Sequence, residues 1–511
     1  MSTAARVAKN TGYLYAKMGI TMFISLYTTR LILNSLGASD FGIFNIVGGA
    51  IAMLGFLNAA MAGATQRFMS YTEGEGDKEK QKKIFNISSI LHAGISLIVG
   101  LVLLGAGYIF FNGVLNIPSD RIFAAKIVYG SLIVSTMFTV MSVPYDAMLN
   151  AHENMRYYAI VGIIESLLKL TVAFVVVYTT GDKLIMYGIL MAAIPLVTLS
   201  IMRIYCHRKY EECILAPKYY FDRTLMKEMT GFAGWNFLSS ASALLGNYGN
   251  TIILNHFYGV RLNAAMGVAN QLHGQLMVLS TNLIKALNPV IVKNEGAHNR
   301  EKMLGVSLIG CKVSFFLLAL VGIPFIIEAP IILKWWLKEI PEWTIVFFRF
   351  CIIRALIEQL FITLNTTISA QGNIRGMSLW NVVLYIVPLF TLCILFHYKF
   401  PPYWLYINAI IFMVIGISIV RLYYVRKWCG LSLRRYFFDI ILRSGGLFFI
   451  VIVISSVLDR IPEDIWLRVI CVFAVSTLLM FSLGYIILLN KTEKQYIRNF
   501  FKKVRVWKFM N

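Results

Sequence analysis

Apolar and polar positions alternate along this chain in long blocks. Runs of about 20 or more apolar residues, the length a helix needs to cross the hydrocarbon of a bilayer, are separated by short charged connections. The runs predict helices at about 11–36, 41–63, 84–112, 121–145, 157–179 and 183–204. A second set follows at about 229–256, 264–290, 303–328, 343–369, 377–398 and 403–425, and a last pair at about 437–458 and 465–489. The expected fold class is an all-α polytopic membrane protein with about 14 transmembrane helices.

The pattern repeats. Thr11-Gly12, Ile32-Leu33-Asn34, Gly37 and Glu73-Gly74 return as Thr230-Gly231, Ile253-Leu254-Asn255, Gly259 and Glu295-Gly296, at offsets of 219, 221, 222 and 222. Ala151-His152-Glu153-Asn154-Met155-Arg156 returns as Ala370-Gln371-Gly372-Asn373-Ile374-Arg375 at offset 219. Short matches are individually weak in apolar sequence, but an ordered series at near-constant spacing indicates internal duplication. An even number of helices per copy makes both copies enter the membrane in the same sense. The expectation is two parallel six-helix lobes related by an axis along the membrane normal. The lobes are expected at 1–215 and 216–430, with an additional helix pair and a basic cytoplasmic tail over 431–511.

Composition agrees with the bilayer assignment. The 511 residues are 58% hydrophobic and only 14% charged, with mean hydropathy +0.70, where soluble domains carry about 25% charged residues. The net charge of +22 does not mark a nucleic-acid binder, because the basic residues lie between apolar spans. Even-numbered connections hold clusters such as Lys78-Lys80-Lys82-Lys83 and Arg203 to Lys227; odd-numbered ones hold one or two bases each. The totals, roughly 30 against about 8, place both termini in the cytoplasm. The long first apolar run lacks a cleavage site and is expected to be a retained span. The seven cysteines have no metal-ligand spacing, and neither a disulfide framework nor a metal is expected. No P-loop, zinc motif or Gly-x-Ser-x-Gly elbow is present, and the expectation is a non-enzyme.

Ionisable residues inside apolar spans are costly unless they face a partner or a wet cavity. Lys17 and Arg30 lie in the first span, where snorkelling to the headgroups is the alternative. Lys312 lies deeper, while Glu165–Lys169 and Arg354–Glu358 are i,i+4 pairs able to satisfy themselves. Arg67 and Lys285 fall near span ends and read as anchors. Interior cations outnumber interior acids, a balance suited to an anionic substrate.

Several motifs resemble those of a known family. Leu26-Tyr27-Thr28-Thr29-Arg30 precedes Leu36-Gly37-Ala38-Ser39-Asp40-Phe41-Gly42-Ile43, and Ala64-Thr65-Gln66-Arg67-Phe68, Ala269-Asn270-Gln271 and Asn288-Pro289 follow. The chain resembles bacterial polysaccharide transporters of the O-antigen flippase type, in the multidrug/oligosaccharidyl-lipid/polysaccharide exporter (MOP) superfamily. The resemblance implies a MATE-like fold in the bacterial inner membrane. It also implies flipping of undecaprenyl-diphosphate-linked oligosaccharide to the periplasmic leaflet by alternating access, for surface polysaccharide or O-antigen (lipopolysaccharide) export.

On that reading Arg30, Lys17, Lys312 and Arg354 are expected to bind the diphosphate. Asn34, Asn247, Asn250, Asn270, Gln271 and Asn365 are expected to meet the sugars, and Glu165 or Glu358 to couple a proton or sodium ion. No cofactor is expected, a proton or sodium gradient being one candidate energy source. The expected partners are the lipid-linked glycan, membrane lipid and polysaccharide polymerase or assembly proteins, with the chain itself a monomer. The rivals are a drug or metabolite exporter on the same fold, a membrane glycosyltransferase or polymerase and, in a third class, a scaffolding protein. Interior bases disfavour organic cations as cargo, short external loops disfavour an enzyme, and deep charges disfavour a mere scaffold.

Overall fold

Glycine and proline punctuate a chain that is otherwise helical, as the long apolar runs require. A computed structural model describes residues 3–52, 55–114, 117–337, 339–458, 465–490 and 493–495, and no strand occurs among them. Most of the basic C-terminal tail lies outside the described residues.

The first half holds α1 (Thr3–Ala52), α2 (Gly55–Glu75), α3 (Lys78–Ile109), α4 (Ile122–Met141), α5 (Val143–Ala151), α6 (Met155–Tyr178) and α7 (Lys183–Lys209). After the short α8 (Pro217–Tyr220) come α9 (Arg223–Tyr258), α10 (Val260–Gly296), α11 (Arg300–Ile327), α12 (Ala329–Trp336), α13 (Thr344–Gln359), α14 (Ile362–Ala370) and α15 (Arg375–His397). Three further apolar helical stretches cover Trp404–Cys429, Leu433–Val457 and Ile465–Leu488. Among the described residues, ten helices are long and apolar enough to span a membrane, and up to eleven if the bent pair Ala5–Gly37 and Ser39–Gly49 is one span. The expected number of fourteen is not confirmed by this criterion. Asn236, Asn247 and Asn250 dilute the hydropathy of α9, and the segment around residue 360 divides α13 from α14.

The backbone carries the duplication in detail. Of nine left-handed residues among those described, six form repeat-related pairs: Gly37 (φ 76°) with Gly259 (φ 79°), Gly76 (φ 76°) with His298 (φ 55°), and Glu153 (φ 54°) with Gly372 (φ 86°). At Gly37 the chain bends by 119° between its two helical arms, a conformation costly for residues with a Cβ. Helix caps repeat too. Asp77 accepts from Lys80 N at 2.9 Å and Asn299 from Lys302 N at 3.2 Å, each satisfying an otherwise orphaned N–H. The break at Ser142 between α4 and α5 matches the break between α13 and α14.

The chain divides into two compact units. The first comprises Met1–Ala241, Lys285–Met303 and Ser369–Ser378; the second comprises Ser242–Ile284, Leu304–Ile368 and Leu379–Asn511. In the first, Ile43 and Val47 of α1 pack with Leu103 of α3 and Val128 and Ile133 of α4, while Ile32 packs with Val172, Ala173 and Val176 of α6. Tyr129 enters this core only because its hydroxyl donates to Leu103 O at 2.6 Å. In the second, Ser307, Thr363 and Thr367 bind one another's hydroxyls at 2.9–3.2 Å, polar contacts suited to joining helices where lipid offers no hydrophobic drive. Large apolar side chains such as Phe23, Leu101, Phe390 and Leu478 are exposed, the surface expected of helices solvated by lipid rather than water.

Candidate functional site

A polar pocket of about 160 Å³ lies inside the first unit, between helices that are otherwise apolar. Lys17 of α1, Ser142 and Asp146 at the α4–α5 break, Tyr158 and Glu165 of α6, and Thr198 of α7 line it. The break is what admits Asp146: α5 restarts at Val143 with Pro144 in its first turn, where the missing N–H costs nothing. Gly162 admits Lys17. A Cβ there would lie 2.1 Å from Lys17 Cε and 2.5 Å from Nζ, so the ammonium occupies space any other residue would fill.

Tyr158 organises the charges. Lys17 Nζ is 4.5 Å and Lys285 Nζ 3.4 Å from its ring centroid, both in the range where an aromatic face attracts a cation. Asp146 feels the charges of Lys285, Lys17 and Glu165. Glu165 is held by Lys169 at 2.6 Å. Lys17 lines the cavity with Asp146 and Glu165, and two further ammonium groups lie beside it, Lys169 on Glu165 and Lys285 on the Tyr158 ring. An excess of cations in and beside a polar pocket can attract an anion.

The other sequence-derived candidates are dispersed. Arg30 is exposed on α1 with no hydrogen-bond or ion-pair partner among the described residues, and Asn34 is exposed one turn later. In the second unit Lys312 is buried and paired with Glu493 at 3.1 Å, so its ammonium is already satisfied. Arg354 and Glu358 do not form an ion pair with each other within 4.0 Å, although both influence His273 and Tyr385; the Arg354 Nε is buried without a hydrogen-bond partner. Asn270 lies 3.7 Å from Cys351 Sγ. Asn247 and Gln271 are exposed, Asn365 is half-buried, and Asn250 is buried with its side-chain oxygen unbonded.

Sequence reasoning missed one member of the pocket, Asp146, and the cation beside it, Lys285. Asp146 fell one residue beyond an expected span, although an acid following Pro144 in an apolar stretch was a usable signal. Lys285 was read as an interfacial anchor, because only tertiary packing brings it to the face of Tyr158. Arg67, expected as an anchor near a span end, instead ties α2 to the end of α14. It donates to Ser369 O at 3.2 Å and Ala370 O at 2.9 Å, with its guanidinium 4.6 Å from the rings of Phe68 and Tyr71.

Residues 7–295 match the model of a family described as polysaccharide biosynthesis protein. None of the curated proteins compared matches the chain in sequence. Solved structures match over 83% of it. An outward-facing multidrug resistance MATE transporter of the MOP superfamily aligns with TM-score 0.72 at 15% identity, over 95% of its own length. A MATE protein in the straight conformation aligns with TM-score 0.69 at 16% identity over 96% of its length. A MOP superfamily transporter from Pyrococcus furiosus, whose binding pocket is described as having reverse polarity, suggesting a different function, aligns with TM-score 0.68 at 16% identity over 96% of its length. Likeness at such identities establishes a common MATE-type fold.

Proposed function

The chain belongs to the polysaccharide biosynthesis protein family and is a membrane transporter of MATE-like fold, and from that premise we propose that it flips a polyprenyl-diphosphate-linked oligosaccharide between leaflets. The observation that carries this reading is the cation-rich pocket of the first unit, with Lys17 and Lys285 on one tyrosine ring and the free Arg30 on the same helix as Lys17. A diphosphate is the part of such a lipid that needs cations inside a bilayer, and Arg and Lys are the side chains suited to it. The prenyl chain needs only lipid, so no large apolar cavity is required of the protein.

In this reading Arg30 and Lys17 attract the head group, Arg354 offers a further charge in the second unit, and Lys312 is left to its ion pair with Glu493. Sugar hydroxyls meet Asn34, Asn247, Asn250, Asn270, Gln271 and Asn365. Asp146 joins Glu165 and Glu358 as a carboxylate able to carry a proton or sodium ion. Loading proceeds from the cytoplasmic leaflet, with both termini on that side, in keeping with the basic even-numbered connections.

Reconstitution in proteoliposomes tests the proposal. Labelled lipid-linked glycan should change leaflet, and Arg30→Ala or Lys17→Met should slow this about tenfold or more, the worth of one charge-assisted hydrogen bond, without loss of insertion. Movement of a water-soluble drug but not of the lipid-linked glycan would refute it and favour the drug exporter.

A further inference from the structure

The duplicated Glu-Gly motifs meet each other. Near the end of α2, a Cβ on Gly74 would stand 2.1 Å from Lys293 O; at the end of α10, a Cβ on Gly296 would stand 2.0 Å from Tyr71 O. Tyr71 and Lys293 are themselves related by the repeat offset of 222. Each glycine therefore lies on the backbone of the other copy's equivalent turn, a pseudo-twofold crossing within the first unit. The adjoining ion pairs repeat as well: Lys78 binds Glu73 at 3.2 Å, and its counterpart Arg300 binds Glu295 at 2.6 Å.

Among the differences between the halves, one exchanges a histidine for a glutamine. Gln371 accepts from Arg300 at 3.2 Å in the second half. In the first half its counterpart is His152, with Nε2 2.5 Å from Glu212 and Nδ1 3.4 Å from Glu73. We propose that His152 is a proton-binding site that latches this helix crossing closed, and that the protein opens there when the imidazole loses its proton.

The surroundings of the imidazole support a bound proton. Tyr210 stacks on the ring at 4.1 Å between centroids. Lys78 reaches both carboxylates at 3.2 Å, and Lys293 reaches Glu73 at 3.1 Å from α10. The nearby Glu153 is paired with Arg6 at 2.7 Å. The three groups are close enough for a metal ion, their ligand atoms falling within 4.8 Å, but lysine ammonium groups already occupy both carboxylates and make this an ion-pair network. Burial works against a charged His152, yet hydrogen bonds and charge from Glu212 and Glu73 outweigh it and hold the imidazole above its ordinary value. Burial pushes Glu73 up, but its bonds to His152 and Gln81 and the charge of Lys293 bring it well below the usual carboxylate range.

The linkage sign follows. A raised histidine value means the latch contributes fully below the ordinary value near 6.5. That contribution fades as pH rises toward the clasped value and is gone above it. Opening releases one proton within that window, so the opening equilibrium rises by up to about tenfold per pH unit there. The proton enters and leaves on the same side, so the latch reads the pH of one compartment and does not by itself couple transport to a gradient.

His152 reaches α10 through Glu73, the carboxylate it shares with Lys293.

Hydrogen exchange of the full-length protein in lipid nanodiscs, corrected for intrinsic rates and followed from pH 6 to 9, tests the latch. Peptides covering 71–76 and 293–297 should open more with rising pH in the wild type and show no such window in His152→Gln, which copies the second half. Glu212→Gln, which keeps the imidazole but removes one carboxylate, should move the window to lower pH. A wild type without the window, or the same window in His152→Gln, overturns the proposal. Neither result depends on which cargo is carried.

Discussion

Substituting alanine at the crossing glycines gives the sharpest structural test. In Gly74→Ala the new methyl meets Lys293 O at 2.1 Å and Lys293 C at 2.9 Å, and backbone cannot swing aside as a side chain can. Restoring ordinary contact requires the helices to part by about 1.3 Å. Overpacking of this kind costs ~1–3 kcal/mol, and the better helix propensity of alanine returns at most about 1 kcal/mol. With a packing cost of about 2 kcal/mol, the net loss of roughly 1–2 kcal/mol should raise local opening some 5–30-fold. Gly296→Ala should do the same through Tyr71 O. The double variant is decisive. One separation relieves both clashes, so the packing cost is met once while the propensity gain comes twice, and opening in the double variant should stay within about threefold of either single one. Hydrogen exchange at residues 71–76 and 293–297 measures this. Independent, multiplying effects, or single variants as protected as the wild type, would refute the pseudo-twofold contact.

Other substitutions probe separate parts of the molecule. Gly162→Ala should displace the Lys17 ammonium and lower glycan flipping about as much as Lys17→Met. Combining the two should add little, because both remove one contact. Arg67→Lys loses the planar fork that serves Ser369 O and Ala370 O; a cost of ~1–3 kcal/mol should appear as faster exchange at 369–375. His298→Gly, at φ 55° where the first copy has Gly76, should stabilise by up to about 1 kcal/mol in thermal unfolding. Arg121 binds Asp40 and Asp182 at 2.5–2.9 Å. Burial pushes the Asp182 carboxyl up, but Arg121 and the backbone N–H groups of 184 and 185 bring it below its ordinary value. The stability this supplies is present above the ordinary aspartate range and is lost as pH falls through the lowered value. Arg121→Gln should therefore move the acid midpoint of unfolding upward, which a pH series of thermal melts would reveal.

Local rules determined a large part of this protein. Membrane helices must satisfy their own backbone, so apolar run length identified them wherever composition stayed apolar, and it weakened where α9 carries asparagines. The duplication was legible because it is written in residues with backbone duties. Gly37 and Gly259 turn the chain, Asp77 and Asn299 cap helices, and Gly74 and Gly296 give up their side chains. The inventory of charge in apolar spans was legible in part: Lys17 and Lys312 were marked by their apolar neighbours, while Arg30 is exposed and Asp146 was missed.

Glu165 and Lys169 pair as their i,i+4 spacing allows, but long-range partnership was decided by tertiary structure. Lys312 reads as a deep cation and Lys285 as an anchor near a span end, yet the first is neutralised by Glu493, 181 residues away, and the second lies on the ring of Tyr158. Charge and hydrogen bonding act over a few ångströms, and no periodicity in the chain records which distant residue will arrive within that reach. The meeting of the repeated glycines is the same lesson in backbone form: the motif was visible twice in the sequence, and only the fold laid one copy on the other.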